Sequence, residues 1–267
     1  RSRLDRAIAE RLTAAQAVLA QARAAAQAAQ AARQGAFALF DEGPGKEEPA
    51  EARWAEALSQ AAAARAAYQQ AGRALETALL LDTSRAEPRR ALATCLYEHA
   101  LLEEAAHRLE QRDALLQRLA TYDDDGELRR REQAPATLEL AVTPAGAQAR
   151  LARYAAQTGT GRRALQAPQD LGAAASGLRG PLSLPPGSYL LTLSAPGRAE
   201  VRYPVLLARG ERLRAALRLP KANEVPPGFV YVPPGRFLYG SADAENWRRA
   251  MLTTQPLHAL WLPGFLI

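Results

Sequence analysis

Apolar positions in the first third of the chain recur at intervals of three and four residues. Ile8, Leu12, Ala15, Leu19, Ala22, Ala26 and Ala29 make a heptad stripe, the repeat of a helix that packs along a partner. An uninterrupted helix is expected over residues 1 to about 34. Its stripe decays from Ile and Leu to alanine, so a second helix can approach closely at the far end. Gly35 and the run Asp41-Glu42-Gly43-Pro44-Gly45 are expected to break it, with Phe37, Leu39 and Phe40 anchoring the turn. A second helix is expected over residues 47–82, with Trp54, Leu58, Ala61, Tyr68, Ala71, Leu75 and Ala78 on one face. Thr83 and Ser84 can cap the next helix, and Pro88 fits its first turn. A third helical stretch reaches Tyr122, with a break expected near residues 110–112 and an end at Asp123-Asp124-Asp125-Gly126.

From about residue 134 the period changes to two. Thr137-Leu138-Glu139-Leu140-Ala141-Val142, Tyr189-Leu190-Leu191-Thr192-Leu193 and residues 212–219 alternate as half-buried strands do. Pro144-Ala145-Gly146, Pro185-Pro186-Gly187, Ala195-Pro196-Gly197 and Arg209-Gly210 supply the turns. Short strands at this spacing predict a small β-sandwich. The expected class is α+β and multidomain: an antiparallel helical bundle over 1–126, a sandwich over 134–220, a linker over 221–227, and the opening of a third domain over 228–267.

In that last segment Phe229, Tyr231, Phe237, Tyr239, Trp261 and Phe265 fall in strand patterns. Alone, such strands expose an apolar patch and unpaired edges. The segment is therefore expected to be completed by further chain, in the same or a cleaved polypeptide, and the window to be a piece of a longer protein.

Composition narrows the chemistry. Of 267 residues 48% are apolar but only 6% aromatic, so the helices must be held by close alanine contacts rather than bulky side chains. The net charge is +6 and rests almost wholly on arginine, lysine occurring only at 46 and 221. The basic runs Arg129-Arg130-Arg131, Arg162-Arg163 and Arg248-Arg249 lack the interleaved aromatics of nucleic-acid platforms. They read as solvated surface charge rather than a nucleic-acid platform, with an acidic protein partner left open. The lone Cys95 sits on a helical apolar stripe and reads as a small buried residue. His99 and His107 lie eight apart in a helical stretch, not at a metal-binding i, i+4 spacing. The Asp123–Asp125 run lacks the spaced ligands and closing glutamate of a calcium loop. No phosphate-binding loop, nucleophile elbow or kinase signature occurs. No catalytic, cofactor or metal residue is assigned, and no membrane span is expected.

Three resemblances add to this reading. Ala71, Leu75 and Ala78 before Leu81-Asp82, then Leu92, Ala93 and Leu96, resemble one and a half tetratricopeptide repeats, although Thr83 stands where that family has proline. Thr143-Pro144-Ala145-Gly146-Ala147, Leu184-Pro185-Pro186-Gly187-Ser188-Tyr189 and Ala195-Pro196-Gly197 are similar to a PEGA-type domain, with residues 154–178 as an atypical insert. Phe229-Val230-Tyr231-Val232-Pro233-Pro234-Gly235-Arg236-Phe237-Leu238-Tyr239-Gly240-Ser241, Pro256-Leu257-His258 and Leu262-Pro263-Gly264-Phe265 resemble the opening of the formylglycine-generating-enzyme (sulfatase-modifying factor) family, a C-type-lectin-like fold. In that family His258 corresponds to an early packing histidine, and catalytic members use a downstream cysteine pair with copper. The order of elements resembles bacterial fusions of a serine/threonine kinase to a formylglycine-generating-type domain. It implies a cytoplasmic, non-catalytic connector, sensory and protein-interaction region, with partners at the helices and edge strands and with oligomers allowed. Two other readings stand beside it: the accessory region of an active oxidase of that family, or an envelope adhesion module.

Overall fold

The computed structural model describes residues 2–157, 162–174, 180–252 and 254–267. The chain is α+β: a long helical region, then a β-rich region of several small sheets. By mutual contact it divides into two compact units, residues 1–129 with 240–258, and residues 130–239 with 259–267.

In the first unit, helices α1 (Ser2–Asp41) and α2 (Glu47–Leu81) form a hairpin, followed by α3 (Ala86–Ala105) and α4 (Leu109–Tyr122). The heptad stripe is the buried face of α1: Ile8, Leu12, Ala15, Leu19, Ala22 and Ala29 are each no more than 6% exposed. Leu12, Ala15, Leu19, Ala22 and Ala29 share a core cluster with Ala61, Ala64, Tyr68, Ala71 and Leu75 of α2. A second cluster near the turn joins Ala32, Ala36 and Phe40 to Ala50, Trp54 and Ala57.

Gly35 does not break α1, which runs unbroken to Asp41. The cost of one helical glycine is about 1 kcal/mol, and the buried Ala32, Ala36 and Phe40 around it outweigh that. Gly35 also leaves space for the Arg53 side chain, whose Nε would lie 3.2 Å from an added Cβ. Asp82, not Thr83, organises the next turn: its carboxylate accepts from the Ser84 amide (3.0 Å) and hydroxyl (2.6 Å).

The break in the third stretch falls at residues 106–108, earlier than expected. Arg108 N–H donates to the Glu103 carbonyl and His107 N–H to the Glu104 carbonyl, both at 2.9 Å. This is a Schellman ending with His107 in the left-handed position, φ +56°. Glycine normally fills that position, so the sequence carries no mark of it. A further helix, α5 (Glu127–Glu132), starts directly after the aspartate run. Among the described residues no helix is long and apolar enough to cross a membrane.

In the second unit, two sheets share one core. The first orders β5 (Leu182–Leu184), β1 (Ala136–Thr143) and β8 (Arg212–Arg218), with β1 and β8 parallel. The second is built on β2 (Ala147–Ala156), β6 (Gly187–Ser194) and β7 (Val201–Leu207), with β3 (Arg163–Leu165) and β4 (Gln169–Ala174) both along the other side of β2. Alternation places Leu138, Leu140 and Val142, then Tyr189, Leu191 and Leu193, then Val201, Tyr203, Val205 and Leu207 in the core. Pro204 is tolerated because, among the described residues, β7 pairs only with β6 and so lies at an edge of the sheet. Of the expected insert, residues 158–161 and 175–178 lie outside the described residues; much of the remainder forms β3 and β4.

The closing segment makes two small sheets in this unit, β9 (Tyr231–Val232) with β12 (Phe265–Leu266) and β10 (Gly235–Tyr239) with β11 (His258–Leu262). Gly235 is required by closeness: an added Cβ would sit 2.9 Å from the Tyr203 ring. Residues 240–258 belong to the helical unit instead. There Gly240 has φ +95°, and a Cβ would lie 2.5 Å from the Gln255 and Pro256 carbonyl oxygens.

The alanine seam should be intolerant of added volume. Ala64→Leu, at a fully buried position, is expected to lower stability by about 1–3 kcal/mol in urea unfolding. Ala62→Leu on the exposed face of the same helix is expected to leave it within about 0.5 kcal/mol.

Candidate functional site

The helical unit contains a cavity of about 550 Å³. Arg33 and Phe37 of α1, Trp54 and Arg65 of α2, His107 and Arg108 of the α3–α4 turn, and Asp243 and Glu245 of the 240–258 segment line it. The helix pattern explains each placement. Arg33 and Phe37 are four apart on α1, and the Schellman ending turns His107 and Arg108 out of α3.

Glu245 and Thr254 are tied to α2 through Arg248, whose side chain is 1% exposed. Its guanidinium donates to both Glu51 oxygens (2.7 Å each), to Glu245 (2.8 and 3.3 Å) and to the Thr254 carbonyl (2.7 Å). Glu245 also accepts from Trp54 Nε1 at 2.9 Å. Burial opposes ionisation of Glu245, but the hydrogen bonds from Arg248 and Trp54 outweigh it and hold its carboxyl below the ordinary range. Arg248 is thus a buried structural cation, not the solvated surface charge its run suggested. Its charge is met by one local carboxylate, Glu245, and by one on a distant helix, Glu51.

His258 is 6% exposed and stacks on Phe37 with ring centres 4.6 Å apart. Its Nε2 lies 2.9 Å from Asp41 Oδ1 and its Nδ1 2.7 Å from the Pro256 carbonyl.

His99 and His107 do not share a face, because α3 ends between them. His99 is buried, stacked on Tyr68 at 5.6 Å, with Nε2 3.2 Å from Glu103 Oε1. Burial pulls its pKa below the ordinary 6.5, although the Glu103 carboxylate opposes this. Glu103, itself 1% exposed, also accepts from Arg65 Nε at 2.6 Å. Arg108 Nε is 3.1 Å from the second Glu103 oxygen, an ion pair without an aligned hydrogen bond. His107 is pulled down too, by desolvation and by the nearby Arg33 charge.

Cys95 is buried, donates to the Tyr68 carbonyl at 3.4 Å, and has its thiol pushed up to about 12 by burial. Cys95, His99 and Glu103 follow one another at four-residue spacing on α3, but a thiol held protonated is no nucleophile. Asp123 is 4% exposed and accepts from the Leu128 and Arg129 amides at 3.2 and 3.0 Å, which caps α5. Asp124 pairs with Arg89 at 2.7 Å, and Asp125 accepts the Glu127 amide at 2.9 Å. The run is a turn-and-cap device. Among the described residues no three His, Cys, Asp or Glu side chains are grouped to hold a metal ion.

The cavity itself was not visible in the sequence. Its only local signal is Arg33, an arginine close to the alanine stripe with no acidic residue within four positions either side.

Removing Arg248 leaves two carboxylates facing each other in a partly dehydrated site. Arg248→Ala is expected to cost about 3 kcal/mol in urea unfolding, and faster amide exchange should be confined to residues 240–258 and the start of α2. His99 gives a pH test. Its folded pKa lies below 6.5, so just below that pH the unfolded chain binds more protons than the folded one. Stability should therefore fall as pH drops from 7 to about 5, and His99→Gln should flatten part of that slope.

No protein-family model matches the chain, and no curated protein matches it.

Proposed function

We propose that this chain is a non-catalytic connector and protein-interaction region of a bacterial signalling protein, one joining a serine/threonine kinase to a formylglycine-generating-type domain. The observation that carries it is the exposure of large apolar side chains in the closing segment of the β-rich unit. Val230 is 60% exposed, Trp261 63% and Ile267 72%, with Phe237 and Phe265 above 40%. Val230 and Ile267 exchange both backbone hydrogen bonds and so face each other across the strand pair, and Val232 faces Phe265. These four side chains share one face of a two-stranded sheet. Two strands form a marginal sheet, and apolar side chains exposed together mark interaction sites.

In this reading the helices are tetratricopeptide-like and offer a protein-binding scaffold, and the sandwich acts as a PEGA-like spacer. The last strands open a C-type-lectin-like domain whose remaining chain, in the same or a cleaved polypeptide, covers them. The single buried thiol accords with a cytoplasmic setting.

A photo-crosslinking residue at Val230 or Trp261 of the full-length natural protein, expressed in its own cells, tests the surface. Adducts to polypeptide, either later residues of the same protein or a second protein, are expected. Adducts to lipid alone, or none, would remove the interaction reading. A kinase signature in the reading frame ahead of residue 1 is expected from the family resemblance alone, and its absence would remove that part.

A further inference from the structure

Arg33 carries a charge that the protein does not answer. Among the described residues it forms no ion pair; one terminal nitrogen donates to the Ala105 carbonyl, and its buried Nε has no acceptor. Its guanidinium lies over Trp54, 5.6 Å from the ring centre. Burial alone lowers its pKa, with no compensating carboxylate, yet arginine stays protonated. A half-buried, unpaired cation is unfavourable unless an anion reaches it. On the same cavity, Arg65 and Arg108 share the single carboxylate of Glu103, so this wall carries three guanidinium groups against one acid.

The acids on the remaining lining are already engaged. Asp243 accepts from the Ser241 hydroxyl at 2.5 Å, and Glu245 accepts from Arg248 and Trp54. Phe37 and Trp54, stacked with centres 5.7 Å apart, add aromatic lining to the same cavity. A volume of about 550 Å³ suits a small organic molecule.

We propose that this cavity binds a small organic anion, a carboxylate or phosphate ester carried on a flat apolar body. Arg33 and Arg108 meet the anionic group through the planar donor fork that suits both chemistries. Phe37 and Trp54 meet the flat body. The left-handed His107 ending is what brings Arg108 to this wall, and it places a local backbone cost at the site, as binding sites often do. The site is independent of the exposed strands on which the connector reading rests.

Isothermal titration of the full chain at low salt tests it with sodium phosphate, phenyl phosphate, benzoate and benzylamine. Saturable binding of phenyl phosphate or benzoate is expected, tighter than inorganic phosphate, with none for the cation benzylamine. Phenyl phosphate alone would identify a phosphate ligand, and benzoate alone a carboxylate. Arg33→Met keeps the apolar stem and removes the charge; it should fold with unchanged circular dichroism and bind about tenfold more weakly or worse. Arg108→Gln, at an exposed side chain, repeats the test without disturbing packing and should weaken binding severalfold. Failure of both aromatic anions to saturate, equal binding of benzylamine, or unchanged affinity in both variants would overturn the assignment.

Discussion

One buried guanidinium fastens the 240–258 segment to the helices of its unit. Arg248 enters a nearly dry site, which is costly for any ion, and the cost is met because its donors find two carboxylates and a carbonyl. The geometry is specific to arginine. A planar fork can bridge Glu51 and Glu245 at once, whereas an ammonium would leave one carboxylate poorly paired. Glu51 and Trp54 lie three apart on α2, so the same helical face grips residue 248 by charge and residue 245 by a hydrogen bond. The 240–258 segment is thereby held against the helices, and the cavity gains its acidic lining.

That arrangement makes the unequal treatment of arginines meaningful. Many pair at the surface, as Arg23 does with Glu98 and Arg112 with Asp113. Such exposed pairs contribute only about 0–1 kcal/mol each and serve chiefly to keep the alanine-rich helices solvated. Arg248 is buried and fully answered. Arg33 is half-buried and unanswered, and it is this contrast within one unit that points to a ligand.

The β-rich unit is governed by packing rather than charge. Its core is continuous across two sheets, with Leu138, Leu191, Leu193 and Leu207 all no more than 1% exposed. Burying each such side chain contributes about 1.5–3 kcal/mol. The strands of residues 231–266 attach to this core through only a few groups, such as Tyr231 and Gly235 beside Tyr203. Most of their aromatic and aliphatic side chains face outward, so the sequence's apolar strand pattern and the burial it normally signals part company there.

Periodicity was a faithful guide wherever a contact is local. The heptad of α1, the buried face of α2 from Trp54 to Ala78, the turn at Asp123–Gly126 and the strands at 137–142, 189–193 and 212–218 could all be read from spacing. Repeats of three-to-four and of two follow directly from helix and strand geometry. The chain alone was misleading where a local signal met a tertiary one: Gly35 stayed helical because buried alanines flank it, and α3 stopped at a histidine because a Schellman ending tolerates the left-handed conformation there. Nothing in the sequence could pair Arg248 with Glu51, 197 positions away, or leave Arg33 without an acid. Those outcomes depend on which side chains share a dehydrated space, and only the folded chain decides that.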